Sequence, residues 1–131
     1  VTPGKSPDLR DRTTVQAAIA KSKTLLASKR SQLHNSVAIL WEESQHKNTF
    51  TDEQLADVWA ASCEAVKEAK CMLSEIYAVA GTSSLYQKYK IERAHRDIHA
   101  ISQHGIIQPH WMDQAGMAYV GIKPTGAMFR T

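Results

Sequence analysis

The sequence predicts an all-α domain, an up-down bundle of four main helices dominated by two long antiparallel ones. Three observations carry this expectation. Apolar residues recur at three- and four-residue steps over two long spans. No segment alternates polar and apolar residues as a half-buried strand would. The break between the long spans also carries a helix-start sequence, not a strand-turn pair.

Residues 1–10, with Pro3, Gly4 and Pro7, read as an extended lead-in to a helical domain over 11–121. The first helix is expected from about Asp11 to Gln45. Val15, Ala18, Ile19, Ser22, Leu25, Leu26, Lys29, Leu33, Val37, Leu40 and Trp41 make one stripe, and no proline or glycine interrupts it. His46 to Phe50 breaks the pattern. Thr51-Asp52-Glu53-Gln54 then forms a capping box, with acids suited to the positive end of a helix.

The second stripe runs through Leu55, Val58, Trp59, Ser62, Val66, Ala69, Leu73, Ile76, Tyr77 and Ala80, and Gly81 stops it. Each long helix is about 30 residues, roughly 45 Å, and the short connection makes the two antiparallel neighbours. Thr82-Ser83-Ser84 reads as a loop with an N-cap, and Leu85 to Lys88 as a short helical turn. A third helix is expected from about Tyr89 to Gln103, burying Ile91, Ala94, Ile98 and Ile101. Gly105 ends it, and Pro109 opens a fourth from about Gln108 to Tyr119. Gly121, Pro124 and Gly126 mark residues 122–131 as an extended tail. Trp41 and Trp59 lie on the stripes and are expected in the core.

Length and composition fit one globular domain with a core of its own. No apolar run approaches the roughly 18 residues of a membrane span, and Val1 to Lys5 lacks a signal-peptide core. A start at valine is expected of a processed product or a piece of a longer chain. Cys63 and Cys71, separated by about 12 Å along one helix, are too far apart for a disulfide. They read as reduced thiols, which places the expected location in the cytoplasm.

The net charge of +3 is unevenly spread. Seven basic residues from Lys5 to Arg30 oppose Asp8 and Asp11, and eight acids from Glu42 to Glu75 oppose Lys47, Lys67 and Lys70. The basic stretch has no interleaved aromatic residues, so complementary helix faces explain it better than nucleic-acid binding.

Four of the six histidines fall in RAHRDIHAISQHGIIQPHW, residues 93–111. His95, His99 and Ser102 share a helix face by spacing. His95 and His99 have the spacing of two metal ligands, with His104, His110 or Asp113 as further donors, but no zinc-protease glutamate follows the first histidine. The pattern equally allows imidazoles packed in a bundle or interface, or imidazoles that exchange protons with a cofactor or substrate. No metal ligand is assigned.

Leu85-Tyr86 after Gly81-Thr82-Ser83-Ser84, then Arg96-Asp97-Ile98-His99 and Gln103-His104, resembles the C-terminal helical domain of the acyl-CoA dehydrogenase superfamily. The similarity spans about residues 10–121 and is greatest to the flavin-dependent monooxygenase branch, which includes hydroxylases of p-hydroxyphenylacetate and seco-steroids and dibenzothiophene monooxygenase. It implies an N-terminal helical domain and a β-barrel upstream of this chain. It also implies a homotetramer, a reduced flavin (FMN or FAD), a small-molecule substrate and, in some members, a partner flavin reductase; no nucleic acid or membrane partner is implied.

The resemblance assigns His104 and His99 as catalytic candidates and Arg96, Gln103 and His104 as cofactor-binding candidates. The implied reaction passes oxygen to an electron-rich, often aromatic, substrate through a flavin hydroperoxide. A histidine there either hydrogen-bonds the oxygen or takes a phenolic proton. Arg96 is expected to pair with Asp97 or with a cofactor phosphate. Trp111 either borders a substrate pocket or packs in the core.

Many acyl-CoA dehydrogenases carry a base glutamate soon after the Arg-Asp pair, and no acid lies between Asp97 and Asp113. A dehydrogenase is therefore the alternative reading, and a non-catalytic helical oligomerisation module is a further one.

Overall fold

The computed structural model describes residues 8–82 and 89–130. Among them are four α-helices: α1 (Thr13–Ser44), α2 (Asp52–Ala80), α3 (Lys90–Ile101) and α4 (His110–Tyr119). Short 3-10 turns lie at Leu9–Asp11, Gly105–Ile107 and Ala127–Phe129, and no strand occurs among the described residues. The expected turn at Leu85 to Lys88 and the cap at Ser83-Ser84 lie outside them.

The helix boundaries follow local chemistry. Thr51 Oγ1 accepts from the Gln54 N–H at 3.1 Å, and Gln54 Oε1 accepts from the Thr51 N–H at 3.0 Å. Two otherwise orphan donors at the start of α2 are thus satisfied reciprocally. Gly81 takes φ 63° at the other end, a conformation that an L side chain strains to reach. Pro109 caps α4 in helical geometry, where its missing N–H costs nothing.

The α1–α2 pair is antiparallel: Lys21, near the start of α1, bonds Glu75, near the end of α2, at 2.6 Å. This contact joins the basic and acidic spans of the sequence and holds the Lys21 ammonium above its ordinary pKa through the Glu75 hydrogen bond. Packing divides the α1 stripe in two. Val15, Ser22 and Ser36 are buried and Leu25, Leu33 and Leu40 half-buried, whereas Ile19, Leu26, Val37 and Trp41 lie exposed on the adjoining flank. Trp41 therefore departs from the expected core position, with 69% of its surface open. A single partner helix covers one seam, and the α1 stripe is wider than one seam. Ile101 is likewise exposed, at the last residue of α3, although it lies only one turn beyond buried Ile98.

The core proper lies where α4 crosses α2. It comprises Leu55, Ala56, Cys63, Trp111, Ala115 and Phe129, with Trp59 packed on it. Trp59 and Trp111 stack with ring centroids 5.3 Å apart, and the Trp111 indole N–H donates to Gly105 O at 2.8 Å. Trp111 is thus a core residue with its polar edge satisfied.

The C-terminal segment is not a free extended tail. Beyond α4 the Ile122 N–H donates to Met117 O at 2.8 Å and the Gly121 N–H to Ala118 O at 3.1 Å. This paired arrangement reverses the chain at Gly121, whose φ is 77°. Gln114 Oε1 then accepts from the Thr125 and Gly126 N–H groups at 2.7 and 2.8 Å. Lys123 pairs with Asp52 at 2.8 Å, and Phe129, 1% exposed, enters the core.

Candidate functional site

The histidine block runs from the middle of α3 through the 3-10 turn to the first residue of α4, and its four imidazoles have four different surroundings. His95, half-buried, stacks on the Tyr77 ring at 4.3 Å and meets the His99 ring at a tilt at 4.4 Å. It joins α3 to α2. His110 leans on the Trp111 indole at 4.5 Å. Both make packing contacts.

His99 and His104 differ in a way that matters chemically. His99 Nδ1 lies 2.7 Å from His95 O. A carbonyl only accepts, so Nδ1 carries the proton and the neutral ring keeps its Nε2 lone pair. His104 caps the Gly105–Ile107 turn, and its Nδ1 accepts from the Ile106 N–H at 3.3 Å. That contact requires the Nδ1 lone pair, so the neutral ring bears its proton on Nε2. His99 is arranged as a proton acceptor and exposed His104 as a hydrogen-bond donor. Sequence spacing carries no tautomer information; only the backbone partners do.

The loop that presents His104 is held at three points. Gln108 donates from its side-chain amide to His104 O at 3.1 Å and to Ser102 O at 3.4 Å, and Trp111 holds Gly105. Gln108 and Trp111 are positioning residues, a role that the sequence does not signal. A glutamine near a helix start carries no mark beyond its polarity.

Arg96 does not pair with Asp97. Neighbouring helix residues point about 100° apart, and the contacts run one turn along instead: Arg96 Nη1 to Glu92 at 3.8 Å and Arg93 Nε to Asp97 at 3.5 Å. Both contacts are long and both arginines are exposed, which leaves the Arg96 guanidinium open to an external anion. Gln103 is exposed, with its side-chain amide unbonded among the described residues. Arg96, His99 and Gln103 recur at three- and four-residue steps along one edge of α3 and its last turn. Among the described residues, no three His, Cys, Asp or Glu side chains converge as metal ligands would. None of the described helices is long and apolar enough to cross a membrane.

A cleft of about 460 Å³ adjoins this edge, between the middle of α2 and the α3–α4 connection, with Gln103 and Gln108 in its wall. Buried Cys63 also lines it; burial, with the Glu64 charge beside it, pushes the thiol above its ordinary pKa and keeps it neutral.

Comparison with known proteins agrees with this architecture. The indole-3-acetate monooxygenase of Acinetobacter baumannii is 22% identical over 127 residues, covering 93% of this chain and 33% of that protein. The chain thus spans about a third of the length of the curated relative it matches. Residues 3–109 match the family described as acyl-CoA dehydrogenase, C-terminal domain. With four helices in the expected order and a match over most of its length, the chain belongs to the acyl-CoA dehydrogenase family as a C-terminal domain.

Proposed function

We propose that this chain is the C-terminal helical domain of a reduced-flavin-dependent monooxygenase acting on an aromatic or other electron-rich small molecule. The observation that carries the reading is the opposite wiring of His99 and His104 within a block that resembles the monooxygenase branch. The similarity to a monooxygenase supports it.

Family membership implies a flavin, FMN or FAD, and the donor set on the α3 edge fits one. The Gln103 amide and the His104 Nε2–H are exposed neutral donors suited to ring carbonyls and nitrogens, and the loosely held Arg96 guanidinium suits a phosphate. Bound reduced flavin would supply the activation of dioxygen and the transfer of one oxygen atom. His104 would donate from Nε2 to the oxygen being transferred, its ring fixed by the Ile106 N–H. His99 would take a substrate hydroxyl or ring proton at Nε2, and the His95 carbonyl would steady the imidazolium that forms. The exposed apolar flank of α1 supports burial against further polypeptide in the whole protein. Upstream helical and β-barrel domains and a homotetramer would provide that cover, with a separate reductase as a candidate partner.

The test is coupled turnover of the intact protein. His104→Ala is expected to lower hydroxylation by roughly a hundredfold, the usual cost of one preorganised donor, and to raise peroxide release. Unchanged coupling would remove His104 from the mechanism.

The family match also favours a second reading, acyl-CoA dehydrogenation. It needs a base from elsewhere, because no acid lies between Asp97 and Asp113. Turnover of acyl-CoA thioesters with an electron acceptor would establish that reading over the first.

A further inference from the structure

His99 carries its proton on the less favoured nitrogen. An unconstrained neutral histidine prefers the Nε2–H form, whereas the 2.7 Å contact with His95 O requires Nδ1–H. That bond exists only while the His99 ring lies back over the preceding turn of α3. A ring swung out to water loses it, and Nε2 then regains the proton.

The ring is held back by another ring. His95 meets His99 with centroids 4.4 Å apart at a 45° tilt, and it stacks on Tyr77 of α2 at 4.3 Å and 27°. All three side chains are half-buried where α3 packs on α2. Support therefore runs from the long α2 helix through two rings to the His99 imidazole. Ser102 Oγ donates to His99 O at 2.8 Å, which steadies the end of α3 but does not orient the ring. Both contacts of His95 are ring contacts, so its flatness and bulk matter here and its nitrogens do not.

We infer that His95 is a positioning residue: its ring, propped on Tyr77, sets the tautomer of His99 and keeps the His99 Nε2 lone pair free to accept a proton. The tautomer follows from this geometry alone, and its use on a substrate rests on the oxygenase reading.

Long-range ¹H–¹⁵N NMR of the histidine-labelled chain reads the tautomer directly, at about pH 8.5, two units above the ordinary imidazole pKa. The unaltered chain should show His99 predominantly as Nδ1–H. His95→Ala should move the ratio about tenfold toward Nε2–H, the equivalent of one net hydrogen bond. His95→Phe, which puts back a flat ring without nitrogens, should restore it. Tyr77→Phe should leave it in place, and Tyr77→Leu should shift it in the direction of His95→Ala. Circular dichroism checks that each variant folds. A His99 that is mainly Nε2–H in the unaltered chain, an unmoved ratio in His95→Ala, or no rescue by His95→Phe overturns the inference. Should His95→Ala not fold, Tyr77→Leu decides in its place, and an unmoved ratio there overturns it. Each of these outcomes is independent of coupled turnover, which tests the oxygenase reading separately.

Discussion

Two regions of this bundle differ in how they treat apolar surface. Where α4 crosses α2, the chain turns at Gly121 and brings Phe129 in as the last wall of a closed core. Along the outer flank of α1, Ile19, Leu26, Val37 and Trp41 remain exposed, although their spacing is as regular as that of any buried residue in the bundle. Periodicity reports that a face is apolar. It does not report whether a partner within the same chain covers it.

The contrast can be broken by substitution. Phe129→Ala is expected to cost about 3–5 kcal/mol in urea denaturation, whereas Trp41→Ala should stay within about 0.5 kcal/mol. Similar costs at both sites would abolish the distinction between a closed and an open region.

A smaller effect sharpens the same comparison. A Cβ built on Gly126 meets Trp111 Cζ3 at 2.9 Å and Gln114 Oε1 at 3.3 Å. Gly126→Ala should therefore lose about 1–3 kcal/mol through overpacking. Gly105→Ala, which meets nothing within 4 Å, should be close to neutral.

The smallest expected effect appears only at alkaline pH. Burial, then the hydrogen bond to Asp57 at 2.7 Å, raises the pKa of the Tyr119 phenol. The unfolded chain thus loses this proton first, near pH 10. The stabilisation is complete below that pH and declines above it. Tyr119→Phe should flatten the fall in stability above about pH 10, leaving the part due to Cys63, whose buried thiol shifts in the same direction. An identical alkaline slope in the variant would show that Tyr119 does not contribute.

Much of the fold was legible because its signals are local. The Thr51–Gln54 box, Gly81, Pro109 and the two long stripes act through neighbours three or four residues away, and each of the four α-helices forms within a residue or two of its expected bounds. The candidate site was legible as a set of residue types, and its wiring was not. Arg96 turned to Glu92, and the two catalytic candidates took opposite tautomers from the backbone groups they meet.

The sequence by itself determined where this chain is helical, where each helix stops, and that imidazoles cluster at the end of the third. Those outcomes depend on backbone geometry and on contacts one helical turn apart. Only the tertiary structure decided which seam of α1 is covered and that Phe129 returns to the core. Each of these joins residues dozens of positions apart, where spacing carries no information and only packing does.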